Sequence, residues 1–224
     1  GVINMITGSG EEVGNAIIAN QKINGISFTG SVETGKYIMQ HAGLKKVGLE
    51  LGGKNAIIVM DDADLDLAVE GIIWGAFSTT GQRCTAASRI IVHKTIKKEL
   101  EEKLVKKVKK LQLGFGLKKT TDIGPLINEK AMQKSEYYTL MGKKQKARLL
   151  CGGKRIERQG FFFEPTVFTN VKPSMKIAQE EIFGPIVSII PVNTITEAIR
   201  VCNNTIYGLS SSIYTKNIQI AFKA

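Results

Sequence analysis

Cys84 is the side chain in this sequence best suited to act as a nucleophile. Gly81, slightly earlier in the chain, permits a sharp turn, and the neighbouring Arg83 brings a positive charge that favours the thiolate. The small residues after Cys84 predict that a helix begins there, so that free backbone N–H groups could stabilise a thiolate and hold an oxyanion. Alternatively, Cys84 is a small buried apolar side chain, as unpaired cysteines commonly are.

Glu50 is a candidate general base, because it is a carboxylate within an apolar run over residues 47–51. If that run is an internal strand, desolvation raises the pKa of the carboxyl group until it can take a proton from water or a thiol. If the run is an exposed sheet edge, Glu50 simply points into water. Gly52 and Gly53 follow directly and would let another segment or a ligand approach the backbone.

Gly30 and Ser31 follow a predicted strand over residues 25–29, and Gly35 lies one helical turn further on. A helix that begins directly after such a turn offers its N–H groups to phosphate oxygens, and Ser31 can cap it. An earlier group of glycines is spaced one residue too widely for the standard dinucleotide-binding motif and indicates tight helix packing instead: Gly8, Gly10 and Gly14.

Glu181 and Phe183 lie in a second unusual segment, residues 180–185, with sequence EEIFGP. A carboxylate can accept hydrogen bonds from two ribose hydroxyls, and an aromatic side chain can flank a flat ring. The segment therefore suits a nucleotide. The alternative is an ordinary loop that leads into the next strand.

The formal charge of +11 raises the question of nucleic-acid binding. Ten lysines lie within residues 94–119, where Thr95 can cap a predicted helix. That segment has no arginine to read bases, so a solvated helix face explains the charge and nucleic-acid binding is not expected. The apolar stripe of this helix consists of Leu100, Leu104, Val108 and Leu111.

The composition, 43% hydrophobic and 23% charged over 224 residues, is typical of a globular chain. Apolar runs such as residues 56–60 are far shorter than the roughly 20 residues of a membrane-spanning helix. No secretory leader is visible, so we expect a cytoplasmic protein without a membrane anchor. The cysteines have no paired spacing and the two histidines have no ligand spacing, which predicts free thiols and no metal site.

Strand and helix patterns alternate along the chain, which predicts an α/β fold with a mostly parallel sheet. The residue pattern of the sequence changes near Gly52 and Gly53, so we expect one region over residues 1–52 and another over 53–224. Both ends are expected to be truncated, the first in a strand over residues 2–6 and the last in a helix from residue 218. Further strands are predicted near residues 56–60, 88–92, 149–151, 165–168, 187–192 and 210–214, with helices from Asp64, Thr95 and Thr196.

Together these segments resemble the aldehyde dehydrogenase superfamily over nearly the whole chain. The resemblance implies that residues 1–52 are the end of a Rossmann-like nucleotide-binding domain and that residues 53–224 are an α/β catalytic domain, incomplete at its C-terminus. The motifs that carry it are FTGSVETG at 28–35, LELGGK at 49–54, GQRC at 81–84, EEIFGP at 180–185 and YGLS at 207–210.

The resemblance further implies that Cys84 is the nucleophile and Glu50 the general base. An aldehyde would be oxidised to a carboxylic acid through a thiohemiacetal and a thioester on Cys84, with hydride transfer to NAD or NADP and no metal. A small-molecule aldehyde is the expected substrate, and the full-length enzyme is expected to be a homo-oligomer. The implied cofactor contacts are Gly30, Ser31 and Gly35 at the pyrophosphate, Leu51 near the nicotinamide, and Glu181 and Phe183 at the nicotinamide ribose.

Two other functions stay open at this stage. A truncated chain could be a non-catalytic binding or assembly subunit that uses exposed sheet edges and the lysine-rich helix. Alternatively, Cys84 and Glu50 could hydrolyse activated esters without any cofactor.

Overall fold

The computed structural model describes residues 1–224 and divides them into two compact units, Gly1–Gly52 and Gly53–Ala224. The boundary between the units coincides with the change in residue pattern near Gly52. The functional roles of the two regions remain predictions. Both units combine helices with mostly parallel strands, which confirms the α/β fold class. No helix in the chain has both the length and the apolar character needed to cross a membrane.

The first unit is built on a pair of parallel strands, β1 (Gly25–Thr29) and β2 (Lys46–Glu50). A π-helical turn, Gly10–Gly14, leads into helix α1 (Asn15–Ala19), and α2 (Val32–His41) connects the two strands. Residues from both helices and both strands pack into one small core, made of Ile18, Ile38 and Ala42 against Ile26, Phe28 and Val47.

The strand expected over residues 2–6 is absent from the structure. The chain has no regular secondary structure before Gly10, and the apolar side chains of this run, including Val2 and Ile3, are exposed. A strand requires a hydrogen-bonded neighbour, and the sheet of this unit contains β1 and β2 only. The prediction of a strand over residues 2–6 is therefore wrong, because an apolar run forms a strand only where a neighbouring strand can pair with it.

The second unit contains a six-stranded sheet with the order β5-β6-β7-β4-β3-β8. Every neighbouring pair is parallel except β5 with β6. The central strands read as continuous apolar runs because both faces of the sheet are covered. The strands are β3 (Asn55–Val59), β4 (Ala87–His93), β5 (Arg148–Cys151), β6 (Thr166–Thr169), β7 (Ile186–Val192) and β8 (Ser211–Tyr214).

Helices cover both faces of this sheet and bury one apolar core on each. The side chains of β3 alternate between the two cores, Ile58 facing one and Ile57 the other. On one face lie α3 (Leu65–Phe77) and α4 (Lys97–Val108). On the other lie α5 (Glu129–Lys144), α6 (Lys176–Gln179) and α7 (Ile195–Asn203), and α8 (Ile218–Lys223) follows the last strand.

Helices α4 and α5 both differ from the sequence-based expectations. Thr95 does not cap α4: its hydroxyl pairs with His93 Nδ1 at 2.8 Å, and the helix begins after Ile96 without a side-chain cap. The longest helix, α5, was not predicted. Its buried positions include small and polar residues that hide the apolar periodicity: Met132, Ser135, Tyr138, Thr139 and Gly142.

Candidate active site

Cys84 lies in a turn between a helix and a strand of the second unit. Helix α3 ends at Phe77, a 3-10 turn follows over Ser78–Gly81, and β4 begins at Ala87, shortly after the cysteine. The expectation that a helix begins at Cys84 is therefore wrong. The following residues pair with β3 and β7 instead, and this pairing overrides their local helix preference. Consequently, no helix dipole acts on the thiol from its C-terminal side.

The turn before Cys84 depends on a glycine. Gly81 has φ +68°, and a Cβ atom at this position would lie 2.3 Å from the carbonyl oxygen of Gly184. Only glycine combines this left-handed conformation with such a close backbone approach. Gly81 therefore packs the loop that carries Cys84 directly against the segment that contains Phe183 and Gly184.

Arg83 directs its charge toward the end of α3. Its guanidinium group lies 4.5 Å from the centre of the Trp74 ring and donates a 2.8 Å hydrogen bond to the hydroxyl of Ser78. Stacking of this kind holds an arginine in place. The residue beside the cysteine is thus fixed against α3, on the N-terminal side of the turn.

Asn55, the first residue of β3, holds the other side of the Cys84 turn. Its side-chain Nδ2 donates to the carbonyl oxygens of Cys84 at 2.6 Å and Ala86 at 3.1 Å. Its Oδ1 accepts a 3.1 Å hydrogen bond from the backbone N–H of Ser210. Sequence reasoning missed this residue, although an amide at the start of a fully buried strand indicates that the side chain has specific partners.

Gly53 joins the Cys84 turn to the Glu181 segment. A Cβ at Gly53 would lie 2.9 Å from the carbonyl oxygen of Cys84, and its N–H donates to Oε1 of Glu181 at 3.0 Å. A small cavity of about 10 Å³ is lined by Gly53, Gly81, Glu181 and Phe183, among others. The structure therefore brings together two motifs that the sequence singled out separately.

The segment that carries Glu181 and Phe183 has no helical or strand structure and leads into β7. Phe183 adopts φ +60° and its side chain is 42% exposed. An exposed aromatic ring on a strained backbone is a feature found at binding sites. Glu180, directly before Glu181, accepts a 2.7 Å hydrogen bond from the hydroxyl of Tyr138, which fixes this loop against α5.

Lys54 is a buried cation that sequence reasoning also missed. Its side chain is 1% exposed, and its Nζ has no hydrogen-bond partner. Burial, followed by repulsion from Arg89, lowers the pKa of Lys54 to about 7, although Glu181 acts in the opposite direction. The signal in the sequence is a lysine two residues before the start of the apolar run 56–60.

Arg89 is the second buried cation of this region. Its guanidinium donates to three backbone carbonyls, those of Lys54 at 2.7 Å, Val201 at 3.0 Å and Cys202 at 2.9 Å. Burial lowers its pKa. Because one side chain contacts the start of β3 and the end of α7, Arg89 holds these two elements together from within β4.

In the first unit, Ser31 caps α2 as expected: its hydroxyl oxygen accepts a 3.1 Å hydrogen bond from Thr34 N–H. The first N–H groups of such a helix have no partner within it. Gly35 lies inside α2, where a Cβ would come within 2.7 Å of the Leu51 side chain. Close helix packing against Leu51 therefore requires a glycine at this position.

Glu50 occupies the last position of β2, and its side chain is exposed. Since β2 pairs with β1 alone, the strand is a sheet edge within its unit and not an internal strand. The exposed-edge alternative thus describes this structure. Its backbone carbonyl accepts a 3.0 Å hydrogen bond from Gly30 N–H, which ties the start of the Gly30 turn to β2.

Comparison with known proteins places these features in a family. The model of the aldehyde dehydrogenase family matches residues 1–224. Alpha-ketoglutaric semialdehyde dehydrogenase of Bacillus subtilis is 43% identical, a match that includes 97% of this chain and 46% of that protein. Human retinaldehyde dehydrogenase 3 is 45% identical over 100% of this chain and 44% of its own length.

Solved structures give the same result. Betaine aldehyde dehydrogenase of Staphylococcus aureus, solved with NAD+, superposes with a TM-score of 0.94 at 43% identity, covering 97% of this chain and 44% of that one. An NAD-dependent aldehyde dehydrogenase of Sinorhizobium meliloti gives a TM-score of 0.96 at 40% identity, over 97% and 44% respectively. The chain thus spans a little under half the length of the relatives it matches. It belongs to the aldehyde dehydrogenase family.

Proposed function

We propose that this chain contributes the nucleophile and general base of an NAD(P)+-dependent enzyme that oxidises an aldehyde to a carboxylic acid. The observation that carries the proposal is the Cys84 turn. It is held by Asn55 and Gly53 and packed against the Phe183 segment, in a chain matched over its full length by the family model. These contacts to the backbone of the turn, together with the partial exposure of Cys84, favour a positioned nucleophile over a small buried apolar side chain.

The Cys84 thiolate adds to the aldehyde carbonyl and forms a thiohemiacetal, whose oxyanion accepts a hydrogen bond from the Cys84 backbone N–H. Bound NAD(P)+ supplies the acceptor for the hydride that leaves the former aldehyde carbon. Cys84 then carries a thioester. Glu50 takes a proton from water as the water attacks this thioester, and the carboxylic acid and the free thiol are released.

The residues present suit a dinucleotide. The N-terminus of the ten-residue helix α2, capped by Ser31 after Gly30, is a suitable partner for the pyrophosphate. The Glu181 carboxylate can accept hydrogen bonds from ribose hydroxyls, and the exposed ring of Phe183 can flank the nicotinamide. We accordingly assign residues 1–52 to the nucleotide-binding domain, which also supplies Glu50 and places Leu51 near the nicotinamide, with Gly35 packed against Leu51. Residues 53–224 are assigned to the catalytic domain, which also supplies Glu181 and Phe183 to the cofactor.

The substrate is assigned only as a small-molecule aldehyde. Relatives with closely similar identity are named for a semialdehyde, a retinaldehyde and betaine aldehyde, which differ widely in size and polarity. A homo-oligomeric full-length enzyme and a cytoplasmic location likewise stay predictions from the sequence.

The proposal is tested in a chimera in which residues 1–224 replace the matching segment of S. aureus betaine aldehyde dehydrogenase. NADH formation with betaine aldehyde is the readout. Cys84→Ala should lower turnover by at least about 1,000-fold, because covalent catalysis is lost. The matched control is Cys151→Ala, a free cysteine in β5 whose thiol has a pKa raised by burial.

Normal turnover by the Cys84→Ala chimera would refute the assignment of the nucleophile. A folded chimera that forms no NADH with any aldehyde would instead favour a non-catalytic assembly role. Acid release from activated esters in the absence of NAD+ would favour the cofactor-independent esterase.

A further inference from the structure

We propose that Asn55 is a positioning residue for the Cys84 nucleophile. It acts through the backbone of the turn and not on the reacting atoms. The inference rests on the proposed function in one respect, namely that Cys84 is the residue whose position matters.

The side-chain amide of Asn55 uses both its donor and its acceptor groups. Nδ2 donates to the carbonyls of Cys84 and Ala86, and Oδ1 accepts from the N–H of Ser210. The side chain is 4% exposed, so water does not compete effectively for these bonds. Since the three partners belong to two segments distant in sequence, the amide fixes each segment relative to the start of β3.

Holding two carbonyl oxygens of one short turn restricts rotation of the peptide groups that flank Cys84. Gly53 makes this possible, because a side chain at that position would collide with the same Cys84 carbonyl. The anchor itself is rigid, since β3 is an internal strand paired with both β4 and β8. Precise placement of a nucleophile contributes strongly to rate, so the bonds of Asn55 have a catalytic consequence.

The ladder between β3 and β4 is irregular at this point. Asn55 pairs with Ala87, but Ala56 pairs with Arg89, so Ser88 is an extra residue in β4. Irregularities of this kind redirect the chain at the ends of strands near active sites. The bonds of Asn55 to the turn and the shift in β4 therefore act on the same stretch, directly after Cys84.

Chemistry distinguishes the amide from its closest replacement. Asn55→Asp retains the shape and the acceptor for Ser210, but an ionised carboxylate cannot donate and would face two carbonyl oxygens. Asn55→Ala removes all three hydrogen bonds without adding charge. If positioning of Cys84 is the role of Asn55, both variants should release the turn.

The primary experiment measures iodoacetamide alkylation of each thiol in the 224-residue chain by peptide mass spectrometry. Cys151 in β5 serves as the internal control, because unfolding would expose it together with Cys84. In both variants we expect alkylation of Cys84 to accelerate at least about fivefold, with Cys151 unchanged, since a released turn opens locally.

An unchanged Cys84 rate in Asn55→Asp would overturn the proposal. Equal acceleration of Cys84 and Cys151 in both variants would overturn it as well, because Asn55 would then have a general structural role. The alkylation assay needs neither aldehyde nor nucleotide, so it tests whether Asn55 holds the Cys84 turn even if the proposed function fails.

A second readout uses the betaine aldehyde dehydrogenase chimera. Misplacement of the nucleophile should lower kcat by at least about tenfold, while the KM for NAD+ stays within about twofold of the unsubstituted value. A variant that instead raised the KM for NAD+ and kept kcat would place the function of Asn55 in cofactor binding and contradict the positioning role.

Discussion

The side chain of Asn55 donates a 2.6 Å hydrogen bond to the backbone carbonyl of Cys84. Two residues earlier, the N–H of Gly53 donates to the carboxylate of Glu181. The residues at the start of β3 therefore contact both the Cys84 turn and the Glu181 segment, the two segments that the sequence marks as candidates for chemistry. Asn55 is therefore buried with its polar groups paired, whereas Lys54, between Gly53 and Asn55, is buried with its Nζ unpaired.

Gly81 offers a test of the turn that precedes Cys84. Gly81→Ala should destabilise the chain by about 2 kcal/mol or more, because alanine is strained at φ +68° and its Cβ would meet the Gly184 carbonyl. Urea unfolding measures the loss. Gly116→Ala is the matched control, since nothing lies within 4 Å of a Cβ there. Equal effects of the two substitutions would contradict the packing described for Gly81.

Lys54 should give the chain a characteristic pH dependence. Its pKa is lowered from 10.5 to about 7, so between these values the folded chain binds fewer protons than the unfolded chain. The contribution of Lys54 to the free energy of unfolding therefore rises with pH across this window. Lys54→Met removes the buried charge. At pH 7 its free energy of unfolding should exceed that of the original chain by on the order of 3 kcal/mol, and this advantage should shrink toward pH 10.

The measurement is the difference in unfolding free energy between variant and original chain at the two pH values, which cancels the other titrating groups. Lys98→Met, a change on the exposed side of α4, provides the control and should show no such trend. A Lys54→Met variant that is less stable than the original chain at neutral pH would show that the ammonium group has a partner that stabilises it.

Arg89 should be essential for stability. Arg89→Met leaves three backbone carbonyls near the end of α7 and the start of β3 without their donors, which should cost about 3 kcal/mol or more. Arg200→Met is a suitable comparison, because its guanidinium lies 4.0 Å from Glu197 and its side chain is 78% exposed. If thermal unfolding of the two variants were indistinguishable, the bonds of Arg89 would not be important for the fold.

Most strands of the second unit could be predicted from sequence because buried parallel strands are short, continuous apolar runs. β3 and β7 are such runs, and their expected positions agree with the structure to within one residue. The same reasoning failed for residues 2–6, since apolar character says nothing about whether a pairing neighbour exists. It also missed α5, whose buried face includes Ser135, Thr139 and Gly142.

The candidate site was predictable only in part. Cys84, Glu181 and Phe183 were found from residue type and local pattern, and their segments meet around Gly53 and Gly81. The helix expected at Cys84 was wrong because strand pairing, a long-range effect, determines the conformation after the turn. The three bonds of Asn55 connect residues far apart in sequence, so no local pattern could have assigned its partners.

The central claim is that Cys84 forms a covalent intermediate that Glu50 helps to hydrolyse. The most direct test incubates the Glu50→Gln chimera with betaine aldehyde and NAD+, followed by mass spectrometry of the cysteine peptides. An acyl adduct should accumulate on the Cys84 peptide, because the base needed for hydrolysis is missing. NADH release with no adduct on Cys84, or with the adduct on Cys151 or Cys202, would contradict it.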